Sequence, residues 1–183
     1  NDAALQEHVI LGALPTTDTQ VVYAKGQAIG DVCAMLVAKQ IDYNPSRNSD
    51  GSLEFTITAS STSGVPLEWG VMLSAADDTH GSAGSSSSLD SGASSSAGAA
   101  VYLQVIDINS GTPTFKIEDS TNDSSWSDLI TFTGSSAASA ERKTVTGTIN
   151  RYVRCTLTGT FSNLAFAVVL VRGTDKDDVS LAS

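Results

Sequence analysis

Two histidines, His8 and His80, are the side chains of this sequence best suited to acid–base chemistry near neutral pH. His8 lies near the N-terminus, and His80 lies in a segment rich in serine, glycine and alanine. A nucleophile–histidine pair must be held rigidly within hydrogen-bonding distance, which neither position favours. The sequence also lacks a Gly-x-Ser-x-Gly turn, a phosphate-binding glycine loop and a His-Glu-x-x-His motif. We therefore expect no catalytic residue, no bound cofactor and no enzymatic activity.

A group of oxygen-bearing side chains raises the possibility of a calcium site. Its members are Asp119, Asn122, Asp123 and Asp128, and clustered oxygens are what Ca²⁺ binds. Their spacing does not match the EF-hand pattern, however. Asp and Asn also make the hydrogen bonds that shape turns, so a solvated hairpin loop explains the same residues. We expect the loop and no metal site.

Aromatic side chains could form a platform for sugars. The candidates are Trp69, Trp126, Tyr23, Tyr43, Tyr102 and Tyr152. Most of them fall at the ends of predicted strands or on predicted core faces, where aromatic rings simply pack. The sequence therefore favours packing over carbohydrate binding for these residues.

One basic cluster stands out against an acidic background. The chain has 20 acidic and 10 basic residues, a formal net charge of −10 that repels nucleic acid and anionic membranes. The cluster consists of Arg142, Lys143, Arg151 and Arg154. We predict that these cations pair with acidic residues across a subunit contact rather than bind phosphate. No run of 18 apolar residues is present, so no transmembrane helix is expected.

Two cysteines, Cys33 and Cys155, each lie in an apolar stretch. A disulfide between them is conceivable from the sequence. Free cysteine behaves as a small buried hydrophobe, and the flanking residues favour two buried free thiols.

Alternating apolar residues predict the strands that must position these side chains. The second half is the clearer, with alternation over residues 101–106, 115–117, 130–132, 144–149, 151–157 and 164–171. Residues 164–171 are apolar on both faces, which predicts a central strand. Residues 135–142 are expected to be a loop or one helical turn.

The first half is less regular. Residues 20–23, 39–43, 53–59 and 67–74 read as strands, and residues 44–51 as a turn. Residues 28–38 fit both helical spacing and strand alternation, and we favour the strand.

A low-complexity segment separates the two halves. Of the 27 residues 74–100, 21 are Ser, Gly or Ala, too few apolar groups to offset the entropy of ordering them. We predict a long flexible loop there. The expected organisation is one β-sandwich-like domain over residues 1–172, whose halves 1–73 and 101–172 are joined by this loop, followed by an acidic tail at 173–183.

The fold class follows from composition and spacing together. Charged residues make up only 16% of the chain, against about 25% in typical domains. Short strands recur about every ten residues with turn signals between them. We predict an all-β fold, an antiparallel β-sandwich or barrel with a long Ser/Gly/Ala-rich loop.

Three blocks of residues also carry a family resemblance. They are 39–43 with Arg47, 50–53 and 67–70; then 100–105, 116–120 and Trp126; and finally 150–154, 159–164 and 166–168. Among them are Leu-Glu-Trp-Gly, Val-Tyr-Leu-Gln-Val, Lys-Ile-Glu-Asp-Ser and Arg-Tyr-Val-Arg. Spread over roughly residues 11–172, they resemble the major tail protein of long-tailed bacteriophages, especially those of actinobacteria.

The resemblance implies a virion structural protein, a subunit of the phage tail tube that is assembled in the host cytoplasm. Such subunits stack in homo-oligomeric rings, six to a ring by analogy, around a channel for DNA. The implied partners are other copies of the chain, further tail or head proteins of the virion, and DNA in transient, non-specific passage, with no membrane. Two alternatives stay open: a capsid decoration or cement protein, and a carbohydrate-binding β-sandwich module.

Overall fold

The computed structural model describes residues 18–61, 64–74 and 79–173. Every regular element in these ranges is a β-strand, and the strand pairs are antiparallel. This confirms the predicted all-β, antiparallel fold class. The strands are β1 (Thr19–Ala24), β2 (Val32–Arg47), β3 (Leu53–Ser61), β4 (Glu68–Met72), β5 (Thr79–His80), β6 (Gly84–Ser85), β7 (Leu89–Asp90), β8 (Ala99–Gly111), β9 (Thr114–Ser120), β10 (Ser127–Thr131), β11 (Ser139–Val145), β12 (Tyr152–Thr158) and β13 (Phe161–Arg172). No helix that could span a membrane occurs in the same ranges.

The chain forms two compact units. In the described residues the smaller unit comprises 18–21, 36–61 and 64–67, and the larger comprises 22–35, 68–74 and 79–173. Strand β2 passes from the larger unit into the smaller one after Met35. Of the predicted acidic tail at 173–183, all but Gly173 lies outside the described residues.

The larger unit is built from two antiparallel sheets with one core between them. Its first sheet contains residues 32–35 of β2, then β4, β13, β8 and β11 in that order, with β5 also paired to β13. The second sheet runs β10-β9-β12, and both β6 and β7 pair with β12. Alternate side chains of β8 and β13 pack against those of β9 and β12, as period-two strands require. The core between the sheets includes Leu103, Phe115, Cys155, Phe166 and Val168.

Strand β13 lies inside the first sheet, as its two apolar faces predict. It pairs with β8 from Phe161 to Arg172 on one side and with β4 and β5 on the other. Val168 on one face and Val169 on the other are both essentially inaccessible to solvent. Burial of both faces explains the unbroken apolar run.

The predicted boundaries near residue 140 are wrong. Residues 139–145 form strand β11, paired with β8 over its whole length, where we expected a loop or helical turn up to 142. The strand predicted over 144–149 stops at Val145, and Ile149 makes only an isolated bridge with Ser95. β11 is an edge strand with polar side chains, so it shows none of the apolar alternation on which the sequence prediction relied.

The turn predicted over residues 44–51 is shorter than expected. Strand β2 continues through Pro45 to Arg47, and the reversal occupies residues 48–52. There the Asn48 amide donates to Ser52 O at 3.0 Å, and Gly51 takes the left-handed φ of 89° that the turn demands. Further upstream, the strand favoured over 28–38 begins at Val32.

The segment 74–100 is the main departure from the sequence prediction. Its described part is Ser74 and residues 79–100, and residues 79–98 contain β5, β6 and β7 and run beside β12 and β13, so the predicted flexible loop is wrong for these residues. Backbone hydrogen bonds to neighbouring strands hold it, and composition does not reveal such bonds because every residue type except proline can make them.

Candidate functional site

The smaller unit contains a long β-ribbon, formed by residues 38–47 of β2 and 53–61 of β3. The two strands pair from Ala38–Ser61 at its base to Arg47–Leu53 at its tip, with one register shift between Gln40 and Asp42. Residues 44–54 are all exposed. The tip has two strands in the described part of the chain, and a two-stranded ribbon is marginally stable in water.

The ribbon also carries apolar residues at alternate positions of β3. In the sequence, Leu53, Phe55 and Ile57 alternate with the polar residues Glu54 and Thr56 along β3. Leu53 is 43% exposed. An exposed ribbon whose tip has two strands in the described part of the chain offers backbone groups with which a further strand can pair. The ribbon is therefore a candidate surface for association.

The larger unit treats its sheet edges differently. Edge strand β11 of the first sheet is joined by charged side chains to the edge of the second sheet, β10 and the residues that follow it. Lys143 Nζ donates to Thr131 O at 2.8 Å, and the Thr133 amide donates to Glu141 Oε2 at 3.0 Å. Lys143 and Glu141 also form an ion pair at 3.1 Å. Inward charge of this kind discourages another strand from pairing with the edge.

The other edge of the second sheet is covered by residues 84–98, which we name the edge segment. Ser85 pairs with Thr156 and Leu89 with Val153, and the segment continues to a bridge between Ser95 and Ile149. The edge of β12 that faces away from β9 is therefore paired with the edge segment and is not free for another strand.

The four basic residues do not act as one cluster. Each pairs with an acidic residue of the same chain: Arg142 with Glu68 at 2.9 Å, Lys143 with Glu141 at 3.1 Å, Arg151 with Asp90 at 2.6 Å and Arg154 with Glu118 at 2.8 Å. The prediction that they pair across a subunit contact is therefore wrong. Three of the four acids come from strands far away in the sequence, and only the register of the sheets brings them close.

One of these pairs belongs to a partly buried triad. Arg142 Nε donates to Glu68 Oε2 at 3.1 Å and to Tyr102 Oη at 3.0 Å, and Tyr102 Oη donates to the Glu68 carboxylate. Burial, followed by the hydrogen bond to Glu68, raises the pKa of Tyr102. The triad ties β4, β8 and β11 together, and its groups are engaged with one another.

The aromatic residues do not form a shared platform. Arg154 lies 4.1 Å from the centre of the Trp126 ring, and Arg151 lies 4.9 Å from that of Tyr152, so each guanidinium takes up a ring face. Tyr102 belongs to the triad. Trp69 and Tyr23 are exposed on other strands, and the side chain of Tyr43 lies outside the described residues.

The acidic loop after β9 uses its oxygens within the protein. Asp119 Oδ2 accepts the Asn150 amide at 2.7 Å, and Asn122 Oδ1 accepts the amides of Ser124 and Ser125. Asp128 pairs with Lys116 at 2.5 Å. These are the turn and pairing roles that the loop interpretation predicts. In the described ranges no three Asp, Glu, His or Cys side chains come together as a metal site would need.

A cavity of about 350 Å³ lies beside β5 in the larger unit, lined among others by His80, Ser86, Cys155 and Phe166. The His80 ring lies 4.9 Å from the Phe166 ring, and its Nε2 has no hydrogen-bond partner among the described residues. Burial raises the pKa of Cys155 to about 12, which keeps the thiol protonated and poorly nucleophilic. The sequence did not connect His80 with Cys155, and no local motif signals it. His8 lies outside the described residues.

Both cysteines are free and buried, as predicted. Burial raises the pKa of Cys33 to about 11 as well. Comparison with protein-family models and with curated proteins finds no match to this chain.

Proposed function

We propose that this protein is a virion structural subunit that self-assembles into the tail tube of a bacteriophage, around a channel through which DNA passes. The observation that carries the proposal is the β-ribbon of the smaller unit. It combines paired strands, exposed residues over 44–54 and apolar residues at alternate positions.

The ribbon is better explained by association than by chemistry. A two-stranded element gains little from its own packing and needs a further surface to become stable. A second copy of the chain supplies such a surface by adding strands to the ribbon or by covering exposed apolar residues such as Leu53. The sequence resemblance to phage major tail proteins points to the same kind of assembly, with rings of six as the analogy.

The charge of the chain suits a DNA channel. A formal net charge of −10 makes a surface that repels the phosphate backbone, so DNA passes without sticking. The four basic residues fit this proposal because each is paired with an acid of its own chain, as in Arg154 with Glu118.

Electron microscopy of the purified protein tests the proposal directly. Negatively stained samples over a range of concentrations should contain stacked rings or tubes of uniform diameter. Persistent monomers or trimers would overturn the tail-tube proposal. Trimers that bind phage heads would instead support the alternative of a capsid decoration or cement protein.

The role of the ribbon is tested with a matched pair of variants. Leu53→Glu adds a charge to an apolar residue of the ribbon that is 43% exposed, and Ile106→Glu does the same at a residue of β8 that is 52% exposed. We expect Leu53→Glu to raise the critical concentration for tube formation at least tenfold. Ile106→Glu should leave the critical concentration nearly unchanged. Equal effects of the two substitutions would show that general surface hydrophobicity, and not the ribbon, drives association.

The carbohydrate-binding alternative has its own test. A glycan array should give no binding to the native protein, because guanidinium groups occupy a face of Trp126 and of Tyr152. A specific hit that is lost in Trp126→Ala would favour that alternative over the tube.

A further inference from the structure

The edge segment, residues 84–98, covers strand β12 and the residues before it along almost their whole length. The Ser86 amide donates to Cys155 O at 2.8 Å, and the Cys155 amide donates to Ser86 Oγ at 3.1 Å. Further along, Ser95 and Ile149 exchange two backbone hydrogen bonds of 3.0 and 2.8 Å. The segment therefore satisfies backbone groups that a neighbouring strand would otherwise bind.

Side chains fasten the segment at two further points. Arg151 donates to both oxygens of Asp90, at 2.7 and 2.6 Å. Arg172 Nη2 donates to Ala93 O at 3.2 Å and to Ile149 O at 2.8 Å, which joins the segment to the residues before β12. Leu89 adds the apolar contribution, because it packs against the core between the sheets.

The register of the segment is irregular. Between Ser85 and Leu89 the segment advances four residues while its partner advances three, from Thr156 to Val153. Between Asp90 and Ser95 it advances five while the partner again advances three, from Tyr152 to Ile149. Such bulges leave the outer side of the segment a poor template for another strand.

The covered strand has the opposite character. Val153, Cys155 and Leu157 alternate as buried residues on β12, and β12 pairs with β9 in unbroken register over seven positions. Without the edge segment, β12 would be a regular strand with one free edge, and such a strand can pair with a strand of another copy of the chain. A Ser/Gly/Ala-rich segment with bulges pairs poorly with a further strand.

We propose that the edge segment is a built-in guard, which occupies the edge of β12 that a strand from a second copy of this chain would otherwise take. The guard confines self-association to other surfaces of the molecule. The proposal does not depend on what the chain assembles into, because it concerns the edge at which association is prevented.

The test compares two double variants. Asp90→Ala with Ser95→Pro removes the Arg151 ion pair and the hydrogen bond from the Ser95 amide. The control, Asp128→Ala with Ser96→Pro, removes a similarly exposed ion pair with Lys116 and places a proline next to Ser95, while the Ser95 amide is kept as donor to Ile149 O. Both pairs are made in the Leu53→Glu background, so that association through the ribbon is the same in each.

Hydrogen exchange and light scattering supply the readouts. We call Asp90→Ala with Ser95→Pro the released variant. In dilute solution it should exchange the backbone amides of Ile149 and Cys155 at least tenfold faster than the control. At higher concentration it should form dimers or larger species in which these amides regain protection, while the control does neither. Rapid exchange without association, or association without renewed protection at residues 149–155, would overturn the proposal.

A disulfide lock keeps the test decisive if the released variant fails to fold. Ser85 Oγ and Thr156 Oγ1 lie 2.9 Å apart, so Ser85→Cys with Thr156→Cys can join the segment to β12. On warming below the unfolding transition, the reduced protein should associate through β12 and the oxidised protein should not. Identical association of the two forms would refute the guard.

Discussion

The two units of this protein handle strand edges in opposite ways. In the larger unit, Glu141 and Lys143 bridge one pair of sheet edges, and residues 84–98 cover the edge of β12. In the smaller unit, the β-ribbon has exposed residues over 44–54 and a tip of two strands in the described part of the chain. The difference teaches that free edges are not inevitable in this protein. Within the described residues, two edges of the larger unit are covered while residues 44–54 of the smaller unit are exposed, a contrast that suits the self-assembly proposed above.

The largest expected effect separates the two units by stability. Phe166 is 2% exposed and packs edge-on against Phe115 with ring centres 5.1 Å apart, so Phe166→Ala should lower the free energy of unfolding by about 3–5 kcal/mol. Leu53→Ala on the ribbon should change it by less than about 0.5 kcal/mol. Urea unfolding followed by tryptophan fluorescence reports on the larger unit, which holds both Trp69 and Trp126. If Phe166→Ala and Leu53→Ala lowered the free energy of unfolding equally, the contrast between the two units would fail, because the ribbon would then unfold together with the core.

A smaller effect is expected at the triad of Glu68, Tyr102 and Arg142. Glu68→Leu leaves the Arg142 guanidinium partly buried without its acid, since the two side chains are 17% and 22% exposed in the native protein. The expected cost is about 1–3 kcal/mol in the same unfolding experiment. Asp128→Ala, which breaks a more exposed pair, should cost clearly less. If both cost the same, the triad is no more than a surface pair.

The smallest effect concerns pH and the fastening of the edge segment. The hydrogen bond from Arg151, and then that from the Gly92 amide, lower the pKa of Asp90 to about 2. The pKa of Asp90 in the folded protein lies below its unfolded value of about 3.9. The ionised carboxylate therefore stabilises the folded state above pH 4, and this stabilisation is lost as the pH falls towards 2. An NMR titration should show the Gly92 amide shifting with a midpoint near 2, and Arg151→Ala should move the midpoint up towards 4. A native midpoint near 4 would mean that Asp90 does not fasten the segment in solution.

Residues whose environment is set locally were predicted well. Alternation in 101–106 and 151–157 predicted strands and core faces correctly, and the two apolar faces of 164–171 predicted a central strand. Asn122 and its neighbours predicted a hydrogen-bonded loop, and Cys33 and Cys155 were expected to be buried free thiols. In each case the residue type states directly whether a position favours water, a turn or the core.

Elements whose environment is set by distant residues were predicted poorly. β11 is polar and exists because it pairs with β8, more than 30 residues earlier in the chain. Arg142 pairs with Glu68 and Arg151 with Asp90, so these cations form ion pairs within the chain where we expected pairs across a subunit contact. No local pattern in the sequence reports such pairings.

The sequence by itself determined an all-β, antiparallel protein with an acidic balance, buried thiols and few residues suited to catalysis, because side-chain polarity and period-two alternation act locally. Only the tertiary structure decided that residues 84–98 are an ordered edge segment and that β11 closes against β10. The physical reason is that these features rest on backbone hydrogen bonds and strand register. Both depend on which distant strand lies alongside, and a serine-rich composition neither requires nor forbids them.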